Sequence, residues 1–305
     1  MNYDGGMLMS WVFFALLAAM LAAGSSILEK KNLMHQHAAE FSSSMGIILL
    51  ILTLPLWLFA DVDKLSLGSI GLTYVASLIG AVAFLFVAKA MRHAAISYTA
   101  PFLVFEPLFV VIIAALFLGD RLTAMQFGGI GVLIVGAYLL NSHEHHDLLS
   151  PFKHMFKSKY NLFIFAALLL YAIDSVLDKR ILGVVADGGM GVPVLTFIPL
   201  ISFFTAINFI LIMILFYDGM HGVGKDIRHN FKWVLAVAVL TLGYRLAQVY
   251  AISLPGVMIS LIIPIKRLSS LFATVIGGEL FHEKNILRKA LACGVMIVGA
   301  VMIVI

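Results

Sequence analysis

Long apolar runs, separated by short stretches of charged and turn-forming residues, occupy most of this 305-residue chain. Runs of about 20 apolar residues have the length at which a helix crosses the hydrocarbon core of a bilayer. Because only helices and closed barrels satisfy the backbone hydrogen bonds in lipid, runs this long predict helices. The pattern predicts ten transmembrane helices. They cover roughly residues 7–28, 41–60, 67–91, 94–118, 124–141, 161–183, 192–217, 231–252, 254–276 and 286–304.

Two sequence echoes indicate that the chain is a duplication. Residues 131–137 read Gly-Val-Leu-Ile-Val-Gly-Ala, and residues 294–300 read Gly-Val-Met-Ile-Val-Gly-Ala, 163 positions later. Residues 26–31, Ser-Ile-Leu-Glu-Lys-Lys, return 149 positions later as Ser-Val-Leu-Asp-Lys-Arg. The difference of 14 residues predicts an insertion in the second copy, in a longer loop between Tyr217 and Lys232.

The duplication sets the predicted domain organisation. Residues 1–142 form the first five-helix repeat, 143–160 a polar linker and 161–305 the second five-helix repeat. An odd number of spans makes the second copy enter the membrane from the opposite side. The predicted fold class is therefore an all-α integral membrane protein of two inverted five-helix repeats, whose functional site lies between the halves.

Composition excludes a soluble domain and adds little else. Hydrophobic residues make up 62% of the chain and charged residues 12%, against about 25% charged residues in soluble domains. The single cysteine, Cys293, forms no internal disulfide. The formal charge of +4 arises from basic residues in the connections between helices and does not indicate nucleic-acid binding. We expect a lipid bilayer and a small molecule as partners, and no nucleic acid.

Lys and Arg residues in the connections predict the orientation. Twelve lie in odd-numbered connections and four in even-numbered ones. Because cytoplasmic loops carry the excess of basic residues, both termini are expected outside, in a prokaryotic cell (inner) membrane.

Charged residues inside predicted spans are the candidate chemistry. The basic ones are Lys89, Arg245, Lys266 and Arg267. The acidic ones counted within spans are Glu106 and Asp174. A charge in the membrane interior normally faces a partner or a water-filled cavity. Even with Lys89 snorkelling from its helix end, the excess of positive charge predicts a cavity that attracts an anion.

The pair Lys266-Arg267 is the most specific of these features. Adjacent helical positions point about 100° apart, so one side chain can face the cavity while the other pairs with an acid. The alternative is a charge pair locked to Glu106 or Asp174 with no ligand role. Either acid could also serve as a counter-ion or coupling residue.

Polar residues and prolines complete the candidate site. Tyr244, Arg245 and Gln248 share one face of the eighth predicted helix. The other candidate ligands are Asn208 and Tyr98. Pro101 and Pro264 are repeat equivalents that free backbone carbonyls and suit gating. Polar residues that only join helices are the alternative to a ligand role.

No catalytic or cofactor motif stands out. The segment 143–147, His-Glu-His-His-Asp, has suitable metal ligands, but a solvated linker is the preferred interpretation. The chain has no HExxH, GxSxG or P-loop sequence. We expect no enzyme activity, no metal and no cofactor.

Ten helices in two copies resemble the drug/metabolite transporter superfamily, specifically its EamA-like branch. Each copy ends in that branch's pattern of an acidic residue, a short turn and an apolar helix with spaced glycines. Here these are Gly119-Asp-Arg-Leu122 leading to residues 131–137, and Phe281-His-Glu-Lys284 leading to residues 294–300. The resemblance implies a multi-pass transporter.

Residues 264–270, Pro-Ile-Lys-Arg-Leu-Ser-Ser, are also similar to the Lys-Arg pair of triose-phosphate and nucleotide-sugar transporters. That resemblance implies phosphate or carboxylate binding by Lys266 and Arg267. It also implies termini in the cytosol, against the charge count, and the orientation stays open.

Three functions remain possible at this stage. The first is a secondary transporter of a small polar, anionic metabolite by alternating access. The second is an exporter of amino acids or uncharged metabolites whose basic pair is structural. The third is a membrane scaffold or sensor that transports nothing.

Overall fold

The computed structural model describes residues 5–33, 36–93, 105–141, 159–217, 219, 221–269, 272 and 286–305. Within these ranges the regular structure is entirely helical, which confirms the predicted all-α class. The α-helices are α1 (Gly5–Leu33), α2 (Ala38–Thr53), α3 (Leu67–His93), α4 (Glu106–Phe117), α5 (Ala124–Asn141), α6 (Lys159–Leu182), α7 (Val194–Phe216), α8 (His221–Ser253), α9 (Ile259–Lys266) and α10 (Ile286–Val304). Short 3-10 helices cover Leu54–Phe59, Val62–Lys64 and Val185–Asp187.

Several of these helices have the length and composition of membrane spans. Five qualify within the described ranges: Ser10–Leu33, Ala38–Phe59, Leu67–Ala90, Val194–Phe216 and Asn230–Ser253. Shorter apolar helices are Glu106–Phe117, Ala124–Leu139 and Gly294–Val304. Since α7 alone supplies 23 residues, about 35 Å of helix, these elements can cross a hydrocarbon core of about 30 Å. The protein is an integral, multi-pass membrane protein.

Prolines mark the starts of two helices. Pro107 lies in the first turn of α4 beside the acidic Glu106. A first-turn residue has no intrahelical partner for its N–H, so proline is tolerated there, and the positive end of the helix dipole stabilises the carboxylate. Pro193 precedes α7 in extended conformation. Both prolines therefore favour the start of a helix at these positions, α4 at Glu106 and α7 at Val194.

The predicted loop between Tyr217 and Lys232 is wrong. Helix α8 begins at His221, so residues 221–232 form its first turns. The charged residues there ended the apolar run, but a helix can continue past the hydrocarbon core with charged side chains in water. For the same reason α1 extends to Leu33, beyond the predicted end at residue 28. Residues 94–104 of the fourth predicted span and most of 270–276 of the ninth lie outside the described residues.

Helix α1 packs against α8, and α3 packs against α6, each in antiparallel fashion. On α1, Gly24 lies against Leu240 and Leu21 against Gly243, while further along Lys31 Nζ lies 4.0 Å from the ring centroid of Trp233. Later residues of one helix thus meet earlier residues of the other. Gly80, which is the repeat equivalent of Gly243, takes the corresponding place on α3 and faces α6.

The two glycine-spaced helices α5 and α10 cross at very short distance. A Cβ atom on Gly136 would lie 2.8 Å from Met296 N, and one on Gly299 would lie 2.5 Å from Leu133 N. Gly129, near the start of α5, faces Ile303 near the end of α10. The two helices are therefore antiparallel and in backbone contact, which small residues allow in membranes.

Two more pairs of repeat-equivalent helices are also antiparallel. Gly46 of α2 lies against Phe209 of α7, and past the end of α2 the Asp61 N–H donates to Thr196 near the start of α7 (2.9 Å). Beyond α4, Asp120 accepts a hydrogen bond from Ser260 Oγ near the start of α9 (2.7 Å). The main packing pairs are unchanged when each helix is exchanged with the one five places along.

Alanine substitutions at glycines test the α5–α10 crossing. We expect Gly136→Ala and Gly299→Ala to destabilise the protein by about 1–3 kcal/mol, the usual cost of overpacking. Gly131 and Gly294 are the matched controls, because a Cβ at either meets nothing within 4 Å. The apparent melting temperature in detergent, followed by size-exclusion chromatography after heating, measures the difference. Equal behaviour of the two pairs would contradict the close crossing.

Candidate functional site

A cavity of about 130 Å³ lies between the two halves of the chain. Helices α2 and α3 of the first half and α6, α7 and α8 of the second half form its wall. Its polar lining consists of Ser42, Ser77, Tyr171, Asp174, Ser202, Thr205, Thr241, Tyr244 and Arg245. The rest of the lining is apolar, so the cavity combines an apolar wall with a few polar groups, as ligand-binding sites do.

Two glycines in the cavity wall allow close contacts between helices, one with the Asp174 carboxylate and one with the Phe209 ring. A Cβ atom on Gly80 would lie 3.4 Å from Asp174 Oδ2, so a glycine leaves room for this carboxylate beside α3. Across the cavity, a Cβ on Gly46 would lie 2.8 Å from the ring of Phe209. Gly46 therefore needs the small residue for close approach, whereas Gly80 brings α3 to contact distance of the Asp174 carboxylate.

An ion pair fixes Arg245 at the cavity wall. Its Nη1 lies 3.3 Å from Oδ2 of Asp178, and the Asp178 side chain is fully buried. Asp174 lies one turn earlier on α6, and its buried Oδ1 has no hydrogen-bond partner within the described residues. Asp174 thus presents an unused acceptor next to a cavity that its side chain lines.

Lys266 of α9 lies close to this group of charged residues, Asp174, Asp178 and Arg245. Its Nζ is 5.3 Å from the ring centroid of Tyr244, a distance suited to a cation–π contact. Both Asp174 and Asp178 lie within electrostatic reach of Lys266 and Arg245. Lys266 does not itself line the cavity; it acts on the cavity through Tyr244 and the two carboxylates.

Arg267 forms an ion pair with Glu106, which joins α9 to α4. Glu106 is only 2% exposed, and neither residue lines the cavity. The adjacent residues Lys266 and Arg267 thus point to different surroundings, as their helical positions predicted. Glu106 is the counter-ion of Arg267.

The remaining predicted residues that the structure describes lie outside the cavity lining. The Asn208 amide donates to Ser77 Oγ (3.0 Å) and joins α7 to α3. Gln248 is buried away from the cavity lining. Pro264 lies inside α9 among buried residues. Tyr98, Pro101 and the histidine-rich segment 143–147 lie outside the described residues. Lys89 lies at the end of α3, near Tyr217.

The sequence-based count of charges needs correction. It took Glu106 and Asp174 as the acids within spans and left out Asp178, which lies in the predicted span 161–183 beside Lys179 and Arg180. The structure places Asp178 inside α6. Lys89 aside, the described residues then supply three basic side chains (Arg245, Lys266 and Arg267) and three acidic ones (Glu106, Asp174 and Asp178). A fourth acid, Glu29 of α1, lies within electrostatic reach of Tyr171 and Tyr244, so the expected positive excess disappears. The echo between residues 26–31 and 175–180 signals Asp178, because its repeat equivalent Glu29 is also a helical acid, bonded by Ser25 Oγ (2.7 Å). Tyr171 gave no signal in the sequence.

A double-mutant cycle tests the Arg267–Glu106 pair. Removing one partner leaves a buried charge, so Glu106→Gln and Arg267→Gln should each destabilise the protein by about 3–5 kcal/mol. The double variant removes both charges and should recover most of that loss. Thermal unfolding in detergent measures each step. Additive effects of the two substitutions would contradict the pairing.

Comparison with known proteins agrees with this architecture. Residues 9–142 match the EamA-like transporter family. Among curated proteins none matches the chain. Among solved structures 29 chains match, including a crystal structure with a TM-score of 0.70 at 15% identity, over 98% of this chain and 96% of the other. That likeness concerns the fold alone and spans both halves. Residues 9–142, just under half of the chain, are thus similar to the EamA-like transporter family of the drug/metabolite transporter superfamily.

Proposed function

We propose that the protein is a secondary transporter that carries a small polar metabolite through the cavity between its halves by alternating access. The observation that carries this proposal is the position of Asp174 and Arg245, two ionisable groups facing one cavity between the halves. Burying such groups in a membrane is costly, so they persist where they face a ligand, water or each other.

The proposed mechanism is a rocking of two inverted repeats about the cavity. Three pairs of equivalent helices, α2–α7, α4–α9 and α5–α10, support the inversion because each pair is antiparallel. A pseudo-two-fold axis in the membrane plane makes equivalent helices run antiparallel. An axis along the membrane normal would instead make equivalent helices parallel.

Cavity size favours a small solute. The volume of about 130 Å³ is close to the roughly 150 Å³ of a protein cavity that binds benzene. Pockets for drug-sized ligands span about 300–1,000 Å³. We therefore propose a substrate of a few non-hydrogen atoms rather than a nucleotide sugar.

Charge balance favours a substrate with no net charge. Arg245 is offset by Asp178 and Arg267 by Glu106, which leaves Lys266 to balance Asp174. The further acid Glu29 of α1 accepts a hydrogen bond from Ser25 Oγ and lies outside the cavity lining. A zwitterion fits this arrangement, with its cationic group at Asp174 and its anionic group at Arg245. Tyr171, Tyr244, Ser202 and Thr205 would supply hydrogen bonds. This is the second of the three functions, with Arg267 structural.

Coupling is assigned to Asp174 rather than Glu106. The Glu106 carboxylate is held by Arg267, whereas Asp174 keeps an oxygen without a hydrogen bond in the described part of the chain. A proton carrier must exchange its proton with water or substrate, and Asp174 lines the cavity through which both would pass.

Uptake into proteoliposomes tests the site. We expect Asp174→Asn and Arg245→Gln to lower uptake by about 10- to 100-fold, the loss of one hydrogen bond to a charged group. The matched control is Glu106→Gln combined with Arg267→Gln, a charge-neutral change off the cavity. Uptake in that variant should stay within about threefold of the wild type once its folded fraction is matched.

Competition identifies the substrate class. Small amino acids, carboxylates, phosphorylated sugars and uncharged polyols are each added to the same assay. Inhibition by zwitterions supports the charge-balanced site. Inhibition by phosphorylated anions alone, lost in Lys266→Gln, would instead establish the anion carrier.

Cysteine labelling separates transport from a scaffold or sensor role. In a Cys293→Ala background, Ser202→Cys on the cavity wall should react with a small polar thiol reagent, and substrate should slow the reaction. Ser44→Cys is the matched control, since Ser44 is buried away from the cavity lining. Equal, negligible labelling of both would favour the sealed scaffold.

A further inference from the structure

A second cavity, of about 310 Å³, lies at the end of the helices near residues 37, 89, 160 and 217. The start of α2, the end of α3, the start of α6 and the residue after α7 form its wall. We name it the basic cavity after Lys89 and Arg92, which line it with His37, Tyr160 and Tyr217. No acidic residue belongs to the described lining. We propose that the basic cavity binds a phosphate group, carried by a membrane lipid or free in solution.

Two cations converge on the basic cavity from one face of α3. Lys89 and Arg92 lie three positions apart, so they project from the same side of the helix. Lys89 Nζ lies 5.5 Å from the ring centroid of Tyr217, on the opposite wall. A lysine ammonium supplies a point charge, and an arginine supplies a planar set of donors that matches phosphate oxygens.

His37 orients Arg92 and contributes a further donor. Arg92 Nη1 lies 2.5 Å from His37 Nδ1, and arginine is always a donor, so Nδ1 accepts. The neutral imidazole then carries its proton on Nε2. The arrangement holds the guanidinium in one orientation, and an oriented fork binds an anion better than a freely moving one.

The start of α2 adds to the positive potential. His37 precedes the helix in extended conformation, and its side chain makes no capping hydrogen bond. Ala38 and Ala39, the first helical residues, line the cavity, so the uncapped first turn lies beside the two cations. The nearby acid Glu40 lies against Gly222 of α8 and is absent from the lining.

The depth of the basic cavity matches that of lipid headgroups. The apolar span of α3 is Leu67–Ala90, so Lys89 ends it and Arg92 lies just beyond. Tyrosine and tryptophan concentrate at the same level of a membrane protein, and here Tyr160 and Tyr217 line the cavity. Basic pockets between transmembrane helices at this level bind anionic headgroups.

Ligand-dependent thermal stability of the full-length protein in detergent tests the proposal. The probes are phosphatidylglycerol, phosphatidylcholine, whose ammonium group offsets its phosphate charge, and inorganic phosphate. We expect Lys89→Gln combined with Arg92→Gln to weaken binding about 25-fold, from about fivefold for each removed charge. Arg228→Gln combined with Lys232→Gln is the matched control, because both residues lie early in α8, outside the lining.

Each outcome decides the proposal. Stabilisation by phosphatidylglycerol that is lost in the Lys89/Arg92 variant but kept in the control supports a lipid ligand. The same pattern with inorganic phosphate alone supports a soluble one. Stabilisation that is absent, equal for phosphatidylcholine, or equally reduced in both variants overturns it. The charge-preserving pair Lys89→Arg and Arg92→Lys must keep binding, which separates lost charge from lost folding.

Discussion

Compensation of buried charge within a low-dielectric interior is the constraint on which the centre of this protein depends. Arg245 and Asp178 join α8 to α6, while Arg267 and Glu106 join α9 to α4. A lone charge at this depth would cost several kcal/mol. These pairs fix four helices relative to one another and decide which ionisable groups remain for a ligand. Asp174 lies outside both pairs, and within the described part of the chain its Oδ1 has no hydrogen-bond partner, so it is available to a ligand in the cavity.

The sequence predicted the helices well because hydropathy records a local property. Runs near residues 67–91 and 124–141 correspond to α3 and α5 within two residues. The predicted loop before Lys232 failed because a charged stretch ends an apolar run without ending a helix. Hydropathy shows which part of a helix lies in the bilayer. The helix can continue beyond that part because its backbone hydrogen bonds do not depend on apolar side chains.

The candidate site was harder to predict because its chemistry depends on neighbours in space. Lys266 and Arg267 are adjacent, and nothing in their order says which one meets Glu106. Asp178 was overlooked because it sits beside Lys179 and Arg180, which read as a connection. In the fold, Lys179 instead donates to the carbonyls of Ile252 and Leu254 at the end of α8, so this segment joins helices and leaves Asp178 buried.

The proposed duplication would supply a symmetric scaffold that carries asymmetric chemistry. Gly80 and Gly243 are equivalent and both allow close helix packing, but Arg245 has Val82 as its equivalent, and Asp174 has Ser25. Among the described residues, the charged side chains that line the cavity, Asp174 and Arg245, both belong to the second half, while the first half contributes hydroxyl groups such as Ser42 and Ser77. In the proposed cycle the substrate would stay bound to α6 and α8, and the motion of α2 and α3 past them would change the side to which the cavity opens. Because hydroxyl contacts cost less to exchange than ion pairs, this division places the moving contacts on the half where they are cheapest to break.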